Sequence, residues 1–283
     1  MNLTNFHSHT NYCDGKEPME AFVLEAIKQG FTAYGFSSHA PLPFDTKWTM
    51  KRNSMQAYLE EATQLKRKYA DRIALYVGLE IDYLGELHHA KLPYFQNLPL
   101  DYRIGSIHFL YDQCSESFVD IDCSASSFAH SIESKFGGDI AYVVHLYFSK
   151  MKEMIALGGI DFVGHCDKIY KNAMAYSPNL RQEKWYQELL LDYFKCIAAA
   201  RLPIEVNTKA YAKDKLFFPH RDHFQLLKEM NIPVLVNSDA HSPEKLNWGR
   251  REALKELRKN GITKILEMHQ NQWKEVSIDL CYS

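Results

Sequence analysis

Short apolar runs alternating with stretches of helical periodicity are the feature that most limits how this chain folds. The runs lie at 3–6, 33–37, 74–79, 102–107, 162–164, 203–206 and 234–237. Between them, 18–29, 53–69, 142–156, 182–200 and 243–259 place apolar residues on one helical face. End signals support several of these helices. Pro18 stands where a missing N–H costs least, and Gly30, Gly158 and Gly261 follow last turns. Strands alternating with helices of this length predict parallel β-α units. No Gly-x-Gly-x-x-Gly turn follows the first run, which favours a closed TIM-like barrel over an open doubly wound sheet. The whole chain, 1–283, reads as one barrel domain. Segment 109–138 is the exception to the alternation. It is polar, Ser-rich and too long for an ordinary connection, so a loop that covers or shapes a site is expected there.

Composition serves mainly to exclude. Hydrophobic residues at 46% and charged ones at 24% suit a globular chain with a substantial core. A net charge of -2 with no basic stripe gives no footprint for nucleic acid or an anionic membrane. No apolar stretch approaches the roughly 18 residues needed to span a bilayer. Residues 1–6 lack the basic and apolar regions of a signal peptide. The scattered Cys13, Cys114, Cys123, Cys166, Cys196 and Cys281 therefore read as free thiols in a reducing cytoplasm.

The chemistry is concentrated where the predicted strands end. His7 and His9 close the first strand, and spacing i, i+2 in an extended chain points both imidazoles to one side. Asp239 and His241 repeat the arrangement after the last strand. His39, Glu80, His108 and His165 follow or end four of the others. Asp14, in the turn after the first strand, can lean over the same mouth. In a parallel barrel these C-terminal ends converge at the face where active sites of that fold lie. Taken singly, each residue is better read as a solvated charge, a helix cap or a hydrogen-bonded histidine. Jointly, scatter gives no reason for their placement, and His88, His89, His130, His145, His220, His223 and His269 mostly fall in helical or loop segments instead. Imidazole and carboxylate ligands without a thiolate cluster suit two or three divalent ions of zinc, iron or manganese.

The ordered set His7 to Thr10, Asp14-Gly15, Ser38-His39, Gly78 to Glu80, Gly105 to His108, Gly164-His165 and Ser238 to His241 resembles the polymerase and histidinol phosphatase (PHP) superfamily. Within it, the segments 38–43, 78–83 and 205–208 are most similar to the monofunctional histidinol-phosphatases. The resemblance implies a distorted (β/α)7 barrel with a metal site at the C-terminal strand ends. It implies one ion on His7, His9, Glu80 and Asp239, a second on Glu80, His108 and His165, and a third on Asp14, His39 and His241. Many histidinol-phosphatases carry a histidine near the position of Asp14, so an aspartate here bears on the metal preference of the third position.

The expected reaction is hydrolysis of L-histidinol phosphate to L-histidinol and phosphate in histidine biosynthesis. Glu80, Asp239 and His241 are the expected catalytic groups, Glu80 as a bridge between ions that make bound water acidic. Three dications against Asp14, Glu80 and Asp239 leave a positive pocket for a phosphate dianion. Asn207, Arg103, Lys209 and Arg250 are candidate substrate contacts because they lie near mouth segments. Tyr211, Phe217 and Phe218 either cover the substrate's ring or pack in the core. Two enzyme alternatives stand beside this reading. One is a phosphoesterase of the same superfamily acting on a nucleotide or sugar phosphate. The other is an amidohydrolase-type metal hydrolase, disfavoured because that family commonly ends its fourth strand in lysine, where this chain has Ser106-Ile107-His108. A metal-binding protein without catalysis is the alternative from a different class.

Overall fold

The structure is a computed structural model and describes residues 3–281. The chain places strands β1 (Leu3–Asn5), β2 (Phe31–Phe36), β3 (Ala74–Asp82), β4 (Tyr102–Ser106), β5 (Phe109–Asp112), β6 (Ser117–Asp120), β7 (Phe162–Val163), β8 (Ile204–Asn207), β9 (Val234–Asn237), β10 (Lys264–His269) and β11 (Gln272–Ser277). Seven of them form one parallel sheet in the order β1-β2-β3-β4-β7-β8-β9. Every step is to the next strand of the series, which is how a β-α chain curls its sheet into a barrel. Helices Met19–Gln29, Met55–Lys68, Ile140–Leu157, Lys184–Ala200 and Arg250–Lys259 connect the strands.

The barrel is nearly closed. Edge strands β1 and β9 meet without a regular ladder, and two asparagines do much of the joining. The Asn237 side chain accepts from Phe6 N at 2.8 Å, and the Asn5 side chain accepts from Ser238 N at 2.8 Å. Just beyond the strands, His9 N donates to Ala240 O at 2.8 Å and Ala240 N to His7 O at 3.3 Å. A side-chain amide offers the same donor and acceptor as a peptide group. Here it bridges where the backbones do not pair.

Aromatic rings fill the interior. Phe6, Tyr76, Tyr102, Ile104, Phe162, Leu235 and Met268 form one buried cluster. Tyr102 occupies the space left by two glycines. A Cβ on Gly35 would stand 2.4 Å from its hydroxyl, and one on Gly78 2.5 Å from its ring. The hydroxyl donates to Phe36 O at 2.8 Å, which satisfies a polar atom deep in the barrel. The antiparallel hairpin β10–β11, absent from the sequence expectation, closes the base. Its Trp273 meets Phe6, Tyr102 and Phe162 edge-on at 5.2, 6.1 and 5.7 Å.

Three expectations need correction. Segment 109–138 is no loop: β5 and β6 pair as an antiparallel hairpin, and helix Ala125–Lys135 follows. Its serines look like loop composition, yet Ser124 caps that helix by accepting from Ser127 N at 3.1 Å. The helix expected over 243–259 is reduced to a single turn, Pro243–Lys245, and helix Arg250–Lys259. Gly249 interrupts it at φ 71, where a Cβ would stand 2.9 Å from the Cβ of Thr208. Finally, neither Arg103 nor Arg250 reaches the mouth. Arg103 donates to the carbonyls of Phe95, Gln96 and Leu98, in the segment leading into β4. Arg250 is buried toward the base, donating to Val236 O at 2.8 Å and pairing with Glu267 at 3.3 Å. Among the described residues no helix is long and apolar enough to cross a membrane. Cys13, Cys114, Cys123, Cys166 and Cys196 are free, and the Cys281 side chain lies outside the described part.

Candidate metal centre

Glu80 is the hub of the mouth. It lies within β3, which runs three residues past its expected end, so Glu80 and Asp82 both point inward at period two. Its Oε2 is 2.9 Å from His39 Nδ1, 3.2 Å from His7 Nε2 and 3.5 Å from His9 Nε2. Its Oε1 is 2.8 Å from His165 Nε2 and 3.7 Å from His108 Nε2. Asp239 Oδ1 joins from β9, 3.1 Å from His9 Nε2. Asp239 adopts φ 48, a left-handed conformation that aspartate tolerates better than most residues and that concentrates at functional sites.

A second focus lies toward solvent. Asp14 Oδ2 is 3.1 Å from His241 Nε2, and its Oδ1 is 3.8 Å from His39 Nε2 and 3.9 Å from His9 Nδ1. The turn that brings Asp14 there requires Gly15, because any Cβ would stand 2.1 Å from His9 O.

All nine expected ligands therefore converge. Donor atoms fall within 4.8 Å of one another in four groups: His9, Asp14, His39 and His241; His7, His165 and Asp239; His7, His9 and Glu80; and His39, Glu80 and His108. Their buried atoms are also unsatisfied, since His7 Nε2, His9 Nε2, His39 Nδ1 and Glu80 Oε2 have no hydrogen-bond partner despite their proximity. Such atoms are costly unless something with positive charge stands between them. The donor set fits divalent cations.

The surrounding charges hold the carboxylates in the form that binds metal, and treat the imidazoles unequally. Burial opposes ionisation of Glu80 and Asp239, but imidazoles outweigh it around Glu80, as do Lys209 and His7 around Asp239. Both carboxyls are held well below the usual range. Burial keeps His9 and His165 neutral, and the neighbours His241 and His39 add to the effect at His9. His7 and His108 go the other way: burial lowers them, but Glu205 and Glu80 raise His7, and Asp82 and Glu80 push His108 up to about 9.

Glu205 and Asp82 are the functional residues that sequence reasoning missed. Glu205 Oε1 accepts from His7 Nδ1 at 2.7 Å and from Asn237 Nδ2 at 3.0 Å. Its Oε2 accepts from His165 N at 2.9 Å and Asn207 Nδ2 at 2.9 Å. Asp82 Oδ1 lies 2.9 Å from both the backbone N and Nδ1 of His108. A carboxylate on the far nitrogen fixes the tautomer and aim of an imidazole. The signal was present: Glu80/Asp82 and Glu205/Asn207 have the same i, i+2 spacing as His7/His9. Asn207 is wholly buried, donates to Asp239 Oδ2 at 3.2 Å, and so orients a ligand. Lys209 reaches the centre, with Nζ 3.3 Å from Asp239 Oδ1 and from His241 Nε2.

One wall of the mouth is aromatic. Trp48 meets His39 at 4.6 Å and His108 at 5.4 Å, both edge-on, and stacks on Phe109 at 5.5 Å and 12°. Tyr211 and Phe217 stack on one another at 4.7 Å, with Phe217 in the main core, and do not contribute to this wall.

The model of one family, the PHP domain, matches residues 5–209, which takes in most of the barrel and seven of the nine converging residues. The chain belongs to the PHP domain family. Among its relatives is the histidinol-phosphatase of Bacillus subtilis (strain 168), 28% identical over 179 residues, covering 58% of this chain and 66% of that enzyme. A candidate histidinol phosphatase from Listeria monocytogenes has a similar structure (TM-score 0.78, 23% identity, 88% of this chain and 99% of that one). So does the histidinol phosphate phosphatase of Lactococcus lactis subsp. lactis Il1403, solved with zinc, L-histidinol and phosphate (TM-score 0.71, 16% identity, 96% of this chain and 98% of that one). These structural similarities concern the fold.

Proposed function

We propose that this chain is a metal-dependent phosphomonoesterase that hydrolyses L-histidinol phosphate. The observation that carries the reading is the convergence of nine His, Asp and Glu side chains, among which buried atoms of His7, His9, His39 and Glu80 lack partners. The Bacillus and Lactococcus relatives supply the substrate. The aromatic wall of Trp48 and Phe109 suits a leaving group with a flat ring.

In this reading His7, His9, Glu80 and Asp239 would hold one divalent ion, Glu80, His108 and His165 a second, and Asp14, His39 and His241 a third. Zinc, manganese and iron all suit the donors. When bound, the ions supply Lewis acidity toward the phosphoryl group and toward water. The chain's own part is positioning. Glu205 and Asp82 aim His7 and His108, Ser106 Oγ donates to Glu80 Oε1 at 2.7 Å, and Asn207 fixes Asp239. Lys209 places an ammonium beside Asp239 and His241, where it would meet a phosphate oxygen of bound substrate.

The test is phosphate release by zinc- or manganese-loaded protein from L-histidinol phosphate, beside nucleotides and sugar phosphates. Selective turnover of histidinol phosphate is expected. Release from the other esters alone would overturn the substrate, and release from none would overturn the phosphoesterase reading.

A further inference from the structure

Beside the mouth lies a cavity of about 600 Å³ whose lining includes none of the nine candidate ligands. Its walls include Asp122, Lys168, Lys171, Asn172, Lys209 and Phe218. They come from separate parts of the chain. Asp122 follows β6, Lys168 lies three residues beyond His165, and Lys209 two residues beyond Asn207. Lys209 is the link to the centre, because its ammonium touches both Asp239 and His241.

Lys168 is the unusual member. It is only 8% exposed, yet its charge is met by one carboxylate, Asp122 Oδ2 at 3.0 Å, and by the face of Phe218 at 5.1 Å. A buried ammonium has three protons to place, and a single carboxylate does not use them all. Lys171 does not share its situation, being half exposed and paired with Asp214 at 2.6 Å. Asp122 also stands close enough to the centre to feel it. Its side chain is 36% exposed, and desolvation by the surrounding walls is outweighed by Lys168, His108, Lys209 and His165, which hold its carboxyl below the usual range.

We propose that Lys168 is a second phosphate-binding cation, which with Lys209 grips the oxygens of a phosphoryl group seated at the metal centre. Asp122 is the positioning residue that holds the Lys168 ammonium at the cavity wall. This rests on the phosphoesterase reading above. It also gives the 109–138 excursion a role, since the hairpin carries Asp122 over the barrel to meet Lys168. A phosphate dianion suits the pair better than a neutral group, because charge-assisted hydrogen bonds from two ammonium groups are roughly twice as strong as neutral ones.

The competing role for this ion pair is to tie the hairpin to the barrel, and the experiment separates the two. Inorganic phosphate is titrated calorimetrically into desalted, zinc-loaded wild type, Lys168→Met, Lys168→Arg and Asp122→Asn, with zinc content and melting temperature measured on each. At unchanged zinc content, Lys168→Met is expected to weaken phosphate binding by roughly tenfold to a hundredfold, the range for a charged hydrogen bond. Lys168→Arg should recover most of the loss, and Asp122→Asn should fall between. A lowered melting temperature with phosphate affinity within twofold of wild type would overturn the proposal. If Lys168→Met does not fold, Lys168→Gln is held to the same two outcomes. Because the readout is phosphate binding, failure of the substrate assignment is distinguishable. Turnover of histidinol phosphate with no effect of Lys168 refutes this inference alone. A Lys168-dependent phosphate site without such turnover refutes the substrate alone.

Discussion

The two ends of the barrel solve the problem of buried polarity in opposite ways. At the base, Arg250 pairs with Glu267 and donates to Val236 O, and Trp273 packs against a floor of rings. At the mouth, Glu80 and the histidines lie in contact but leave atoms unpartnered. Both regions are buried, so burial does not distinguish them. The difference is charge: the base sets a guanidinium against a carboxylate, whereas the mouth crowds carboxylates and imidazoles whose unpartnered atoms face one another and call for a cation. Removing a group from the base should therefore cost stability. Removing one from the mouth should cost metal and turnover.

The largest effect should come from the hub. Glu80→Gln is expected to lower kcat/KM for the phosphate ester on the order of 10³-fold and to reduce bound metal, measured by steady-state kinetics and elemental analysis. Full activity with full metal content would remove Glu80 from its central place. At the opposite end, Trp273→Ala should destabilise by roughly 3 kcal/mol in denaturant titration, while the folded, metal-loaded fraction keeps its turnover number. Loss of turnover without loss of stability would break the contrast. Glu205→Gln tests whether the positioning carboxylates belong to the mouth, with an expected loss of about 10- to 100-fold in metal affinity.

The smallest effect concerns Asp167, two residues from His165. It is fully buried, its Oδ2 accepts from His220 N at 2.8 Å, and its Oδ1 has no partner. Burial pushes its carboxyl up to about 7. An acid whose folded pKa lies above its unfolded value stabilises fully below the unfolded value, near 4, and loses that contribution as pH rises through the folded one. Asp167→Asn should match wild type near pH 4 and exceed its stability above pH 7, by an amount on the order of 1 kcal/mol or more. Parallel stability curves for the two proteins from pH 4 to 8 would show that burial does not shift this carboxyl.

How much of this could be read beforehand also divides along the barrel axis. The mouth was legible because its residues are chemically distinctive and fall at strand ends, so His7, His9, His39, His108, His165 and Asp239 announce themselves through spacing. Glu205 and Asp82 were passed over because they touch the ligands and not the expected ions, although their period-two placement was visible. The base was hidden. Trp273 and β10–β11 carry no chemistry, and a hairpin covering the barrel's underside leaves only a generic pattern after the last β-α unit. Arg250 was misplaced for the same reason, since sequence proximity to His241 says nothing of which way a helix runs from a strand end. The 109–138 excursion misled through composition, its serines serving a helix cap and its Phe109 and Phe118 a hairpin.

The asparagine junction between β1 and β9 has a mechanical consequence. His7 and His9 extend from one side of that junction and Asp239 and His241 from the other. Any ion shared by the two sets acts as a clasp across the weakest line of the ring. Chelation should then loosen the molecule unevenly, with faster amide exchange along β1 and β9 while β3 and β4, joined by a continuous ladder, keep their protection. The catalyst and the hoop would share one fastening, and a cell short of metal would receive a barrel that is not just idle but unbuckled.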